Sequence, residues 1–364
     1  SYAACGMPYY ISGDISDYTS LLAIDKDEFI NKRKIQINTF STVTSVDFDA
    51  KKLVVLSNGK EETHSYDKLI IATGASAAIP PIKGVNNEGI FVLRTLRDGL
   101  NIKDFIAKSN ADSVILIGGG FISLELTEAF LKLGIKVKLI EKASAVAALM
   151  SPEIQKIITE SLLNQGVEVL TSVNISEIIK ENNLLKVITD SGVHSAPFII
   201  ISTGAKPNTE FLKNSPLSFH KSGAIIVNEK TETNIPDVYA AGDCATVKNL
   251  ITGMDEYMPM ATTANKQGRV AGLQAAGVKS EIFKGALGTQ MMKVSELEIA
   301  KTGFNRSDAE KNGIAVIDDI IEWKSRAGYY PLSQPIKVKL TIRSDNRKVI
   351  GGEIIGKDYA ALRI

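Results

Sequence analysis

The sequence predicts an α/β fold with two Rossmann-like nucleotide-binding domains, one inserted into the other, followed by an α+β domain. Three observations carry this prediction. A strand, a glycine-rich turn, a helix and a second strand follow one another within residues 113–141. An apolar strand ending in Thr-Gly-Ala occurs at residues 66–75 and again at 196–205. A further apolar strand, in residues 233–243, ends at Gly-Asp.

Length and composition restrict the class of protein. A chain of 364 residues has room for two or three domains. It is 44% hydrophobic and 23% charged, with a formal net charge of +1, so no basic excess points to nucleic acid. We find neither a signal peptide nor an apolar run long enough to span a bilayer, and no histidine–cysteine spacing typical of a metal site. The two cysteines, Cys5 and Cys244, give no disulfide framework, which favours a reducing cytoplasm.

The first motif has the order expected of a dinucleotide-binding unit. Residues 113–118 form a continuous apolar run typical of a buried parallel strand. Gly118 is expected to make the tight turn, and Gly120 to let the backbone approach a pyrophosphate. Ser123 replaces the third glycine and is small enough for helix–strand packing. Glu141, about 20 residues further on, is placed to accept the ribose 2′-hydroxyl. The motif therefore predicts NADH, while the lysine after Glu141 leaves NADPH open.

The repeated strand predicts a second, related nucleotide domain. Its first copy ends at Thr73 and Gly74. The later strand ends at Gly242 and Asp243, where a carboxylate can accept hydrogen bonds from the ribityl chain of a flavin. The helix predicted at residues 260–269 would direct a positive N-terminus at the flavin ring. The segment 233–243 resembles the flavin-binding strand of the flavoprotein oxidoreductases, and this resemblance implies FAD as the second nucleotide.

Cys5 lies in the opening run Ser-Tyr-Ala-Ala-Cys-Gly-Met-Pro-Tyr-Tyr. With the nucleotide motifs, this run resembles the single-cysteine flavoprotein disulfide reductases, which include coenzyme A disulfide reductases, persulfide reductases, NADH oxidases and NADH peroxidases. The resemblance covers essentially the whole chain. It implies a cysteine that alternates between thiolate and oxidised sulfur beside FAD. A helix starting near Cys5 would favour the thiolate that attacks sulfur.

The resemblance also implies roles for particular residues. Cys5 is the implied nucleophile, and Phe121 the aromatic residue that the nicotinamide displaces. In a homodimer, Tyr329 or Tyr330 would assist the active site of the partner subunit, although aromatic packing in the interface explains them equally well. The implied contacts to coenzyme A are Ser1, Arg33 and Asn265. The remaining cofactor contacts implied by the resemblance are Val43, Thr73, Gly74, Arg94, Ile122, Glu125, Gly204, Gly242, Asp243, Ala261 and Thr262.

The motifs divide the chain into three predicted domains. The FAD domain comprises residues 1–95 and 229–280, the NAD(P)H domain residues 96–228, and the dimerisation domain residues 281–364. Compared with the family pattern, we expect the N-terminal βαβ unit of the FAD domain and the end of the dimerisation domain to be missing.

Three functions fit the sequence. The first is FAD-dependent NAD(P)H:disulfide oxidoreductase, with coenzyme A disulfide or a related small disulfide or persulfide as substrate. Ala4 stands where many coenzyme A disulfide reductases have asparagine, which weakens that choice of substrate. The second is NADH oxidase or peroxidase, in which Cys5 becomes a sulfenic acid. The third is a non-catalytic nucleotide-binding fragment.

Overall fold

The computed structural model describes residues 2–278 and 280–357. Short 3₁₀ turns occur at Ala4–Gly6, Tyr18–Leu21 and Glu210–Leu212, and a π turn at Glu28–Lys32. The α-helices of the described part are α1 (Met7–Ser12), α2 (Leu96–Ser109), α3 (Phe121–Lys132), α4 (Pro152–Asn164), α5 (Ala261–Ala275) and α6 (Arg306–Lys311). No helix in these residues is long and apolar enough to cross a membrane.

Many of the strands are short, and they form several separate sheets. In chain order they are β1 (Ser41–Asp47), β2 (Lys52–Ser57), β3 (Lys60–Ser65), β4 (Leu69–Ile71), β5 (Ala75–Ala77), β6 (Ile90–Val92), β7 (Ser113–Ile117), β8 (Lys136–Ile140), β9 (Glu168–Leu170), β10 (Ile175–Glu181), β11 (Leu184–Thr189), β12 (Gly192–Ala196), β13 (Phe198–Ile201), β14 (Ala205–Pro207), β15 (Val238–Ala240), β16 (Val247–Lys248), β17 (Asp255–Glu256), β18 (Gln290–Val294), β19 (Leu297–Gly303), β20 (Val316–Lys324), β21 (Pro335–Arg343) and β22 (Val349–Gly356).

The described residues divide into two compact units, and two of the four points at which the chain passes between them fall at the Thr-Gly-Ala segments. Unit 1 contains the described parts of Ser1–Ala23, Ala77–Gly204 and Thr289–Ile364. Unit 2 contains Ile24–Ser76 and Ala205–Gly288 without residue 279. The three-domain division inferred from the motifs remains a prediction.

Unit 1 contains a five-stranded parallel sheet in the order β6-β13-β7-β8-β9. All four residues of β13 are buried, as are the last four of β7, which explains their continuous apolar sequence. Helix α3 connects β7 to β8, and α4 connects β8 to β9. The strand, helix and strand predicted around the glycine motif are therefore confirmed.

The end of unit 1 forms an antiparallel sheet in the order β18-β19-β22-β21-β20, with α6 between β19 and β20. Strand β20 is one edge of this sheet, and four of its large apolar side chains are exposed, among them Ile317 at 39%. Ile320 and Ile321 are each 43% exposed, and Trp323 is 73% exposed. The α+β character predicted for this segment is present.

Unit 2 combines the small antiparallel sheet β1-β2-β3 with parallel pairing of β4 and β15. Its main apolar cluster includes Phe48, Ile71 and Ile225. Helix α5 contacts both β4 and β15.

Candidate active site

The glycine-rich turn of unit 1 joins β7 to α3. Gly118 has φ +102°, and a Cβ there would lie 2.6 Å from the carbonyl oxygen of Ser202, so only glycine fits. Among the described residues, none lies within 4 Å of the position a Cβ on Gly120 would take. Gly120 is also the N-cap of α3, and no side chain caps this helix end. Free N–H groups beside open space fit a pyrophosphate.

Glu141 follows β8 directly and reaches the glycine turn. Its carboxylate accepts hydrogen bonds from the N–H of Gly119 and, at 2.6 Å, from the N–H of Ala143. These bonds fix the carboxylate beside the turn. Because an ionised carboxylate has about four lone-pair sites, it can still accept a ribose hydroxyl.

Ser123 performs the packing expected at the third glycine position. It is fully buried, and its hydroxyl lies 2.5 Å from that of Ser202, directly after β13. Its carbonyl accepts the hydroxyl of Thr127 at 2.8 Å. The serine thus keeps α3 close to the sheet without leaving its own hydroxyl unpaired.

Other predicted cofactor contacts of unit 1 lie at the start of α3, after β13 and before α2. Phe121 opens α3 and is half-buried against the apolar core, whereas Ile122 is 38% exposed. Gly204, two residues after Ser202, has φ +118°. Arg94 immediately precedes Thr95, the N-cap of α2, and donates its backbone N–H to Asp98 at 3.0 Å.

Cys5 lies on an exposed turn in the same unit. Its thiol is free and the residue is exposed. It occupies the 3₁₀ turn Ala4–Gly6, and α1 begins at Met7. A helix therefore starts next to Cys5, as the sequence analysis considered, although it has only six residues.

The residues on both sides of Cys5 make hydrogen bonds or packing contacts that anchor the backbone. Ala3 donates its N–H to the carbonyl of Leu21 at 2.7 Å. Met7 is 3% exposed, and its sulfur lies 3.5 Å from where a Cβ on Gly99 of α2 would be. The carbonyl of Tyr10 accepts the ammonium of Lys103 at 2.7 Å. The backbone is anchored on both sides while the thiol remains accessible.

Glu125 lies one helical turn after Phe121 and lines a small cleft with Pro8 and Tyr9 of α1. Burial, reinforced by the nearby carboxylate of Glu128, raises its pKa to about 7. Among the described residues it has no hydrogen-bond or ion-pair partner.

In unit 2, Asn208 holds the predicted Thr73–Gly74 turn. The hydroxyl of Thr73 donates to the carbonyl of Asn208 at 2.8 Å, and the Asn208 side-chain amide donates back to the carbonyl of Thr73 at 3.0 Å. The N–H of Asn208 also donates to the carbonyl of Gly74 at 2.9 Å. Gly74 has φ +67°, and no described neighbour lies within 4 Å of where its Cβ would project.

The Gly242–Asp243 turn is held by a buried glutamine of α5. Gln267 is 2% exposed, accepts the N–H of Gly242 at 3.0 Å and donates to the carbonyl of Thr246 at 2.8 Å. Gly242 has φ +81°, and Asp243 is half-buried. The strand β15 and the helix α5 therefore meet at the turn that the sequence assigned to the flavin.

The first residues of α5 are accessible. Ala261 and Thr262 are exposed, as is Asn265 one turn later. The N-cap residue of this 15-residue helix, Met260, makes no side-chain cap. Val43, the remaining predicted cofactor contact of unit 2, lies half-buried in β1.

The predicted substrate and interface residues have different surroundings. The Arg33 guanidinium pairs with Glu28 at 3.1 Å and lies over the ring of Phe29, so it has partners within its own segment. Tyr329 and Tyr330 lie in the loop between β20 and β21 and are 89% and 54% exposed. Ser1 lies outside the described residues.

Sequence reasoning missed the residues that hold the predicted turns, namely Ser202, Asn208 and Gln267. Ser202 and Asn208 carried a signal, because Ser202 lies within the second copy of the repeat, residues 196–205, and Asn208 lies three positions after its end. Within the described residues, no group of histidine, cysteine and carboxylate side chains could hold a metal ion.

Comparison with known proteins gives matches along the whole chain. Residues 1–268 match the family described as pyridine nucleotide-disulphide oxidoreductase, and residues 289–364 match its dimerisation domain. An NAD(P)H coenzyme A polysulfide/persulfide reductase of Pyrococcus horikoshii is 35% identical over 98% of this chain and 80% of the relative. An NADH oxidase of Methanocaldococcus jannaschii is 33% identical, over 100% of this chain and 81% of the relative.

Solved structures agree. The reduced CoADR-RHD of Bacillus anthracis has a TM-score of 0.95 and 30% identity, covering 100% of this chain but 66% of its own. An FAD-dependent pyridine nucleotide-disulphide oxidoreductase from Desulfovibrio vulgaris has a TM-score of 0.77 and 27% identity, over 86% of this chain and 78% of its own. These findings confirm the family resemblance, the fold class, and the prediction of an oxidoreductase that uses FAD and a nicotinamide nucleotide.

Proposed function

Because the chain belongs to the pyridine nucleotide-disulphide oxidoreductase family, we propose that it reduces small disulfides with NADH or NADPH through one redox-active cysteine, Cys5. The substrate we propose is coenzyme A disulfide or a related low-molecular-weight disulfide or persulfide. The names of the relatives support this class of substrate, since one acts on coenzyme A persulfide or polysulfide.

The contrast between the two cysteines carries the proposal. Cys5 is exposed, whereas Cys244 is fully buried and its thiol donates to the carbonyls of Ile71 and Ala241, each at 3.4 Å. A thiol that attacks a dissolved disulfide must be accessible. Cys5 meets this requirement and Cys244 does not.

The sulfur chemistry balances with two electrons per turnover. The Cys5 thiolate attacks one sulfur of the substrate, forms a mixed disulfide, and expels the first thiolate product. Two electrons from NADH, with protons from water, then restore the Cys5 thiolate and release the second thiol. FAD, when bound, supplies the two-electron relay between nicotinamide and sulfur.

The nicotinamide nucleotide would be held by the glycine turn of unit 1. Gly118 and Gly120 leave room for the pyrophosphate, and the uncapped start of α3 provides N–H donors. Glu141 would accept the ribose hydroxyls, and its negative charge disfavours a 2′-phosphate, which supports NADH over NADPH. Ser123 keeps the helix in register with the sheet.

Unit 2 has features that fit FAD. Gly74 and Gly242 both have positive φ, and the space next to Gly74 is open. The first N–H groups of α5, at Ala261 and Thr262, have no side-chain cap, so they can bind negative charge. Asp243 would accept hydroxyl groups of the cofactor. Val43 and Arg94 are also proposed contacts to FAD.

We propose a homodimer as the working assembly, built through the last sheet of unit 1. The match to a dimerisation domain supports this, as do the exposed apolar residues of β20. Tyr329 and Tyr330 protrude next to that strand and are proposed to act at the active site of the partner subunit. Ser1, Arg33 and Asn265 remain proposed contacts to coenzyme A, although Arg33 would first have to leave Glu28.

A matched pair of substitutions tests the function. In FAD-loaded full-length chain, Cys5→Ser should lower NADH-dependent reduction of coenzyme A disulfide at least about a thousandfold and leave NADH binding intact. Cys244→Ser should retain turnover, because the serine hydroxyl can donate to the same carbonyls. Thiol release and NADH oxidation would be followed together.

Unchanged turnover in Cys5→Ser would overturn the proposal. A wild-type chain that binds NADH but neither FAD nor disulfide would indicate a non-catalytic binding protein.

The similarity to an NADH oxidase supports a second candidate function. An exposed thiol can be oxidised to a sulfenic acid, so oxygen or peroxide is an alternative electron acceptor. Oxygen consumption measured beside thiol release distinguishes the two. NADH oxidation that matches oxygen consumption and yields no thiol would favour the oxidase.

A further inference from the structure

Two buried residues, Lys301 in β19 and Asn305 at the N-cap of α6, contact the same carbonyl group of the nicotinamide region. The ammonium of Lys301 donates to the carbonyl of Leu149 at 2.7 Å, and the side-chain amide of Asn305 donates to it at 3.0 Å. Lys301 is 5% exposed and Asn305 is 3% exposed. All three residues belong to unit 1.

The buried charge of Lys301 is compensated by specific partners. A buried ammonium is costly unless it is paired and hydrogen-bonded. Lys301 has one carboxylate partner, Asp308, at 2.5 Å, and uses a further N–H on the Leu149 carbonyl. Charge-assisted hydrogen bonds of this kind are stronger than neutral ones, so the carbonyl is firmly held.

The held carbonyl belongs to the loop that follows Glu141. In this loop Ala147 has φ +51°, a left-handed conformation that side chains rarely adopt and that persists only when the surroundings hold it. Ala147 donates its N–H to the carbonyl of Gly119 at 2.8 Å, and Met150 donates to the carbonyl of Ala147 at 2.8 Å. The loop therefore links Leu149 to the glycine turn.

The same loop also packs directly on that turn. A Cβ on Gly119 would lie 3.2 Å from the Cα of Val146 and 3.1 Å from the carboxylate of Glu141. A second anchor lies further along, where Glu353 of β22 accepts the N–H of Ser151 at 2.8 Å. The sheet thus fixes two neighbouring backbone groups of the loop.

We propose that Lys301 and Asn305 are positioning residues for the nicotinamide nucleotide: through the Leu149 carbonyl they hold the loop that shapes the Gly119 turn and Glu141. This inference rests on the proposed binding of the nucleotide at that turn. It assigns to the last sheet a part in nucleotide affinity in addition to any part in assembly.

Lys339 provides a matched control. It lies in β21 of the same sheet and is also 5% exposed, but it pairs with Glu153 at 2.8 Å and Asp318 at 3.4 Å. No contact to the Leu149 carbonyl is found for it among the described residues. Loss of either buried lysine should destabilise the sheet to a similar degree, whereas only loss of Lys301 should disturb the loop.

The experiment uses FAD-loaded full-length chain and titrates ADP-ribose by calorimetry, because this probe fills the pyrophosphate and ribose positions without redox chemistry. Lys301→Met should weaken ADP-ribose about tenfold, and Asn305→Asp, which keeps an oxygen to cap α6 but loses the amide donor, about fivefold. Lys339→Met should bind within about twofold of the wild type. In steady-state assays, KM for NADH should rise in the first two variants without a matching rise in KM for the disulfide.

Two results with these variants would overturn the inference. Equal weakening in all three variants would mean that general destabilisation is the cause, which overturns the inference. Unchanged affinity in Lys301→Met and Asn305→Asp would overturn it as well. If Lys301→Met does not fold, Asn305→Asp still tests the inference. A wild-type chain that does not bind ADP-ribose would overturn the proposed nucleotide site itself, which is a separate result.

Discussion

The Cys5 turn and the Gly118 turn lie in the same unit but are built in opposite ways. At Gly118 the backbone N–H donates to the carbonyl of Ile140 at 2.9 Å, and a single added methyl group would clash with the carbonyl of Ser202. At Cys5 the backbone is anchored by Ala3, Met7 and Tyr10, while the sulfur is exposed. A site that binds a nucleotide needs a preformed backbone, whereas a site that attacks a dissolved substrate needs an accessible atom on an anchored support.

The largest effect that tests this contrast is expected at Gly118. Gly118→Ala puts a Cβ 2.6 Å from the Ser202 carbonyl oxygen at φ +102°, so we expect a loss of about 3 kcal/mol or more in unfolding free energy and loss of NADH binding. Gly120→Ala should cost less than about 1 kcal/mol, because the space there is open, yet still weaken NADH. Denaturant unfolding and nucleotide titration check both. Equal destabilisation by the two substitutions would break the contrast.

A smaller effect is expected at Glu125 of α3, the helix that begins at the Gly118 turn and contacts α1. The native carboxyl, with its pKa raised to about 7, keeps a proton that the unfolded chain loses near its ordinary value of 4.5. The contribution of this group to stability therefore falls as the pH rises between these values. Glu125→Gln should equal the wild type near pH 4 and exceed its unfolding free energy at pH 8, by on the order of 2 kcal/mol. A difference that does not change with pH would contradict the raised pKa.

The smallest effect is expected at Asp14, which joins the segment after Cys5 to α3. Its carboxylate pairs with Lys132 at 2.8 Å, and this hydrogen bond, together with one from Ser12, holds the pKa of Asp14 below its usual value. Because the pair is exposed, Asp14→Asn should lower the thermal midpoint by less than about 2 °C. The difference should vanish at high salt. It should also shrink as the pH falls below the ordinary aspartate pKa, and disappear below the lowered pKa of Asp14 in the folded chain. A shift that high salt leaves unchanged would indicate a packing role instead.

The part of the site that sequence reasoning predicted is the part determined locally. Gly118, Gly120 and Glu141 follow one another in a fixed pattern of strand, turn, helix and strand, and this pattern alone requires their types. The same holds for the repeat that ends at Thr73 and Gly74. In these segments the physical requirement is a positive φ or the absence of a Cβ. A short run of consecutive residues is enough to indicate it.

The missed residues are those whose roles depend on distant partners. Gln267 appears in the sequence as an ordinary polar residue of a helix, and only tertiary packing turns it toward Gly242. Lys301 carries a charge, and lysine is a residue type that is almost always at the surface, yet it is buried against Leu149 and Asp308. Neither contact follows from local spacing. Gln267 lies 25 positions after Gly242, and Lys301 lies 152 positions after Leu149.

The exposed indole of β20 has a spectroscopic consequence. Trp323 is the one tryptophan in the sequence and is 73% exposed, so the intrinsic fluorescence of the chain reports the polarity at one strand edge. Unfolding of unit 2, which contains no tryptophan in its sequence, would pass without a change in indole emission from its own residues. A blue shift with rising protein concentration would instead record the covering of that edge.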